Sequence, residues 1–163
     1  KLLHAMYEEA ALQSNLKKLA AGVKVLGVPL IWTEQYPEGL GPTVSDIAAY
    51  LRDTQPIIKH CFSCCGHHAF LKTLETSHRK HVVIAGIEAH VCVYQTAMDL
   101  LRLGYEVQIV ADAVSSRTSE NKRIGLDRMR QAGAIITGTE TVLFELLKVA
   151  EGPKFKEILK IVK

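Results

Sequence analysis

The sequence predicts an α/β protein, a three-layer α/β/α sandwich around a parallel, Rossmann-like sheet. Two observations carry this prediction. Short β-branched apolar runs alternate along the chain with longer stretches of helical spacing, the pattern of repeated strand–helix units. Right-handed crossovers between such strands lay their helices on both faces of the sheet. A chain of 163 residues, 48% hydrophobic and 23% charged, also has the size and composition of one globular domain over 1–163, with no linker, repeat or low-complexity tail.

Leu12, Leu16, Leu19, Ala20, Val23 and Leu26 recur at helical spacing and stop at Gly27. Val28 to Thr33 reads as a buried strand. Glu34 to Pro42, dense in Gly and Pro, reads as a loop, and a short helix follows from Ser45, its expected N-cap, to Arg52. A weak strand covers Pro56 to Lys59, and a helix covers Ala69 to Glu75. His81 to Ile87 (HVVIAGI) is the clearest strand, and Val91 to Leu103 is the helix after it, closed by Gly104. Next come a strand at Glu106 to Ala111, a helix at Ser119 to Gln131 with Gly133 beyond it, a strand at Ala134 to Thr137 and a helix at Glu140 to Val149. In the tail from Gly152 to Lys163, Phe155, Ile158, Leu159 and Val162 fall at helical spacing, so this segment packs on the body of the protein or on another subunit.

Twenty Lys and Arg against 17 Asp and Glu leave a formal charge of +3, too small and too evenly spread to favour nucleic acid or a membrane surface as partner. No apolar run reaches the roughly 20 residues of a membrane span, and Lys1 to Ala10 lacks the apolar core of a signal peptide. Cys61, Cys64 and Cys65 crowd together and Cys92 stands apart, unlike the spaced framework of a secreted disulfide scaffold. The expectation is a cytoplasmic protein whose partner is a small-molecule substrate.

In open parallel α/β sheets ligands bind at the carboxyl ends of the strands. Cys92 stands at such a place, in Gly86-Ile87-Glu88-Ala89-His90-Val91-Cys92, in the first turn of a helix. Unpaired amides and the helix dipole there lower a thiol's pKa and favour a nucleophilic thiolate. The competing reading is a cysteine that packs as a small hydrophobe. His90 is two residues away and faces another side of the helix, which excludes a local dyad. Lys59 ends a short apolar segment and can project into the same crevice, where an ammonium stabilises a thiolate, although most lysines are solvated.

The run His60 to His68 (HCFSCCGHH) has zinc-like spacing in Cys61, Cys64 and His67, but no second pair of ligands is to spare, so no metal is expected. Gly39-Leu40-Gly41 lacks the third glycine of a dinucleotide fingerprint, and neither a P-loop nor a Gly-x-Ser-x-Gly elbow occurs; no cofactor is expected. Tyr36 and Phe62 are the candidates to line a substrate pocket. Asp112 reads as a turn or cap group for Ser115 and Ser116.

Taken in order, Trp32 to Gly41 (WTEQYPEGLG), Lys59 to Ser63 (KHCFS), Gly86 to Cys92 (GIEAHVC) and Asp112 to Arg117 (DAVSSR) resemble the isochorismatase-like cysteine hydrolase family, and within it the isochorismatase-domain-containing proteins. The resemblance covers essentially the whole chain. It implies a homo-oligomer, a dimer or larger, and an aspartate–lysine–cysteine triad that hydrolyses C–N bonds of small amide-type substrates through a covalent thioester-type intermediate. By the same resemblance the lysine is Lys59, the nucleophile is Cys92, the Ile87–Glu88 peptide is cis, and the backbone amides of Glu88 and Cys92 form the oxyanion hole. The family's aspartate closes a first, central strand, and the resemblance places both strand and acid ahead of Lys1. A sheet lacking that strand would keep two open edges.

The family's nicotinamidases carry an Asp-x-His metal motif where this chain has Glu34-Gln35-Tyr36, which disfavours that activity. Isochorismatases proper do not use the cysteine, so Cys92 points away from their reaction as well. Two other readings of the same residues are a non-catalytic interaction or regulatory protein on this scaffold and a redox-active thiol protein. In the latter, Cys61, Cys64 or Cys65 would resolve an oxidised Cys92.

Overall fold

The ten-residue strand β4 (Glu106–Ser115) runs through the middle of the fold. In the computed structural model, which describes residues 1–163, it pairs in parallel with β3 (His81–Ile87) on one side and β5 (Ile135–Thr137) on the other. Its side chains enter two cores. Val107, Ile109 and Val114 pack with Phe70, Leu74, Val93, Leu100 and Met129, whereas Val110 and Ala113 pack with Leu19, Val142, Leu143 and Ile158. Helices α4 (His68–Thr76), α5 (Tyr94–Arg102) and α6 (Ser119–Gln131) supply the first core; α1 (Glu9–Leu26), α7 (Thr139–Leu147) and α8 (Gly152–Val162) supply the second. This is the layering that the alternating sequence pattern predicts.

Strand alternation keeps residues of one parity on one face, yet β4 changes parity between Val110 and Ala113. Its register with β3 explains why. Ile84 partners Ile109 and Gly86 partners Val114, so two steps along β3 answer five along β4. The odd excess makes a bulge that turns every later side chain to the opposite face. The sequence predicts the end of this strand at Ala111; the bulge instead carries it to Ser115 and puts Asp112 inside it. The Asp112 carboxylate accepts from the Thr139 amide at 2.8 Å and the Thr139 hydroxyl at 2.9 Å. It therefore caps the start of α7 and does not turn the chain before Ser115 and Ser116.

Strands β1 (Thr33–Gln35) and β2 (Ile57–Lys59) form a parallel pair separate from the sheet of β3, β4 and β5. β1 and β3 each keep one edge without a paired strand. The predicted strand at Val28 to Thr33 is displaced toward its carboxyl end because its partner begins late. Thr33 pairs with Ile57, immediately after Pro56, which has no amide hydrogen to extend a ladder. Glu34 and Gln35, expected in a loop, are thereby strand residues, and the loop beyond them contains a short helix, α2 (Pro37–Leu40).

Helix α3 (Ser45–Ala48) is shorter than predicted, and Ser45 is its first residue, with Val44 at the cap position and no side-chain cap bond. Backbone turns, not helix, carry the chain on to Leu51. Helix α1 ends at Gly27, whose φ of 73° lies in the left-handed region that favours glycine. The tail packs on the body: Ile158 is fully buried, and Lys18 Nζ donates to the Val162 carbonyl at 2.9 Å. No helix is long and apolar enough to cross a membrane.

Candidate active site

The segment after β3 is where the sequence places its nucleophile. The Ile87–Glu88 peptide bond is cis, and the chain then enters a π-helical turn, Ala89–Val93, before α5 begins. The single helix predicted from Val91 to Leu103 is thus two segments of different pitch. The Val93 amide donates to the Glu88 carbonyl, five residues back, at 3.1 Å. That wider turn moves Cys92 from the angle that α-helical spacing would assign to it. Gly125 of α6 backs the turn so closely that a Cβ there would lie 2.8 Å from the Ala89 carbonyl group and 2.9 Å from the His90 nitrogen. His90 Nδ1 meets the Ser116 hydroxyl at 2.9 Å, so its imidazole is occupied in bracing the turn.

Lys59 is 3% exposed, a place where an ammonium needs every hydrogen satisfied. Its Nζ donates to Gln35 Oε1 at 2.6 Å, to the Phe62 carbonyl at 2.9 Å and to the Cys61 carbonyl at 3.0 Å. Three acceptors meet its three hydrogens. Gln35 is held in turn by donating Nε2 to the His60 carbonyl at 2.8 Å. Sequence reasoning misses Gln35, because a residue expected in a loop has no register; the pairing of β1 with β2 is what sets it beside Lys59.

Cys92 is partly buried. Burial pushes its thiol above the ordinary thiol pKa, the reverse of the lowering that a helix-terminal position predicts. The charge of Lys59 pulls it down, and a backbone hydrogen bond from Glu88 does the same; the charges of Cys64 and Glu88 push it up. Lys59 thus acts with the expected sign, but desolvation is the larger effect. Burial pushes Cys65 further, to about 11.

Tyr36 and Phe62 are 47% and 55% exposed, and both flank Lys59. The Tyr36 amide donates to the Lys59 carbonyl at 3.1 Å, and the Phe62 carbonyl takes the ammonium. The Tyr36 ring lies over Gly39, where any Cβ would collide with it, and its centroid is 5.4 Å from that of the His60 imidazole. In the cysteine-rich run, His67 Nδ1 accepts from the Ala69 amide at the start of α4, and Cys64 Sγ lies 3.7 Å from Thr33 Oγ1. No three His, Cys, Asp or Glu side chains gather in a metal-ligand arrangement.

Known proteins resemble this chain in sequence and fold. The isochorismatase domain family matches residues 2–141. Isochorismatase domain-containing protein 2A of Mus musculus is 43% identical over 141 residues, 86% of this chain and 66% of that protein, so the chain spans just under two thirds of that relative's length. A solved structure described as MAR1 ribonuclease from Caenorhabditis elegans superposes with a TM-score of 0.93 at 38% identity, covering 99% of this chain and 83% of that one. The YcaC gene product of Escherichia coli, described as an octameric hydrolase of unknown specificity, superposes with a TM-score of 0.92 at 25% identity over 98% of this chain and 80% of its own. The matched segment takes in β1 to β5 and every residue around Lys59 and Cys92, and the chain belongs to the isochorismatase family.

Proposed function

We propose that this protein is a metal-independent cysteine hydrolase that cleaves a C–N bond in a small amide-type molecule, with Cys92 as nucleophile. The observation that carries the reading is the buried, triply bonded Lys59 ammonium, whose charge favours ionisation of Cys92. A buried cation that lowers the cost of forming a thiolate is an activation device, and family membership makes a hydrolase the reaction class it serves.

In the proposed reaction the Cys92 thiol gives up its proton and Sγ bonds to the amide carbonyl carbon. The C–N bond breaks as the nitrogen takes up a proton and leaves as ammonia or an amine, and an acyl thioester remains. Water then adds to the acyl carbon, the C–S bond breaks, and a carboxylic acid departs. The Glu88 and Cys92 amides are the proposed donors to the oxyanion of the tetrahedral intermediates. The proton acceptor is the aspartate that the family resemblance places ahead of Lys1.

At the position of the nicotinamidase metal motif, the side chains are otherwise engaged. The Glu34 carboxylate accepts from the Thr43 amide at 2.7 Å, and Gln35 is committed to Lys59. Exposed Tyr36 and Phe62 offer apolar ring faces to a small substrate. We propose in addition a homo-oligomer, the state described for the YcaC gene product, and the cytoplasm as the compartment in which four free thiols stay reduced.

The test is an ammonia-release assay over a panel of small amides, with intact-mass trapping of the acyl-enzyme, on the full-length protein. Turnover that Cys92→Ala and Lys59→Met both abolish, with an acyl adduct on Cys92, is the expected result. Turnover that survives Cys92→Ala overturns the reading. So does cleavage of RNA without cleavage of any amide, a substrate included because the Caenorhabditis elegans relative is described as a ribonuclease.

A further inference from the structure

The turn that carries Cys92 is tied to the end of β4 through Glu88. The Glu88 carbonyl accepts from the Val91 and Val93 amides at 3.1 Å each. Its carboxylate accepts from Arg117 Nε at 3.0 Å and from the Arg117 amide at 3.4 Å. The Glu88 side chain is 11% exposed and that of Arg117 58%. A carboxylate so far withdrawn from water needs partners, and both of these come from one residue. Ser116, fully buried, holds His90 at 2.9 Å. Two consecutive residues, Ser116 and Arg117, therefore grip two residues of the nucleophile turn.

Charge makes the second grip matter beyond geometry. The charged or titratable groups that act on Cys92 are Lys59 from β2, Cys64 from the 3-10 turn Cys64–Gly66, and Glu88 from the turn itself. Lys59 favours the thiolate and the Glu88 carboxylate opposes it. The Arg117 guanidinium sits on the group that opposes.

We propose that Arg117 is a positioning residue for Cys92: by holding the Glu88 carboxylate it fixes the turn that carries the thiol and offsets the negative charge beside it, which leaves the Lys59 ammonium less opposed. The proposal rests on the reading of Cys92 as the nucleophile. Its test reads thiol reactivity and does not need turnover.

The experiment measures the rate of Cys92 alkylation by iodoacetamide against pH, resolved by mass spectrometry, in the wild type, Arg117→Gln, Arg117→Lys, Glu88→Gln and the double variant Glu88→Gln/Arg117→Gln. Circular dichroism melts check folding. In Arg117→Gln the midpoint of the pH profile moves up and the rate at neutral pH falls about threefold or more. Arg117→Lys, which keeps the charge, restores most of the rate. Glu88→Gln moves the midpoint down, and the double variant recovers part of what Arg117→Gln loses. An unmoved midpoint in a folded Arg117→Gln protein overturns the proposal, since a structural role alone would lower the melting temperature and leave the profile in place. Should Arg117→Gln not fold, an unmoved midpoint in Glu88→Gln overturns it equally. If these shifts appear in a protein that hydrolyses no amide, the hydrolase reading fails and the proposal stands.

Discussion

Gln35 and Lys59 are direct partners in the β1–β2 register, and Gln35 Oε1 accepts the Lys59 ammonium at 2.6 Å. Residues paired across parallel strands send their side chains to the same face of the sheet, so the ladder itself delivers an acceptor to a buried cation. Replacing Gln35 with Leu leaves that ammonium one bond short. The expected cost is about 1–3 kcal/mol, read from urea denaturation. Gln35→Glu keeps an acceptor and adds a negative charge, and the expected result is slower alkylation of Cys92 at neutral pH, because the new charge offsets that of Lys59.

Cys65 sets a pH dependence of stability. Its thiol ionises at about 11 in the folded protein against 9.0 as an ordinary thiol. Between those values the native state holds more protons than the unfolded chain. This contribution to stability is therefore complete below about pH 9 and is lost as pH rises through about 11. Cys92, also raised by burial, acts in the same direction. Urea midpoints measured in reductant at rising alkaline pH should fall in the wild type, and fall less steeply in Cys65→Ala.

Gly125 is a packing requirement of the candidate site. The atoms that a Cβ would meet at 2.8 to 2.9 Å belong to the backbone of Ala89 and His90, which cannot rotate away as a side chain would. Gly125→Ala is expected to destabilise by about 1–3 kcal/mol as overpacking does, and to alter the rate of Cys92 alkylation as the turn is displaced. A thermal melt paired with the alkylation assay checks both, and wild-type values in both would refute the close fit.

Asp112 caps α7 across the sheet through the amide and the hydroxyl of Thr139. Asp112→Ala is expected to lose about 0.5–2 kcal/mol, the usual cost of a missing cap, and Asp112→Asn considerably less, because its amide oxygen can still accept. Denaturation midpoints of the two variants decide this.

Structure that is written in neighbouring residues could be read from the chain directly. Strand β3 at His81–Ile87 and helix α6 at Ser119–Gln131 lie where apolar periodicity and flanking residues predict them, since a run of β-branched residues or a 3.6-residue repeat is a local property. The order of elements follows for the same reason, and with it the layering. The motifs around Lys59 and Cys92 were legible as candidates too, because their residue types and their places at the ends of strands can be read along one chain.

Features that depend on residues distant in sequence emerged only with the packed fold. The start of β1 is set by Pro56 just ahead of its partner strand, the reversal of side-chain direction in β4 by its register with β3, and the bond between Gln35 and Lys59 by a ladder that no single segment encodes. The acidity of Cys92 is the sharpest case. Its place at the start of a helix predicts a lowered pKa, but how much water a thiol loses depends on everything packed around it, and here that desolvation outweighs the pull of Lys59.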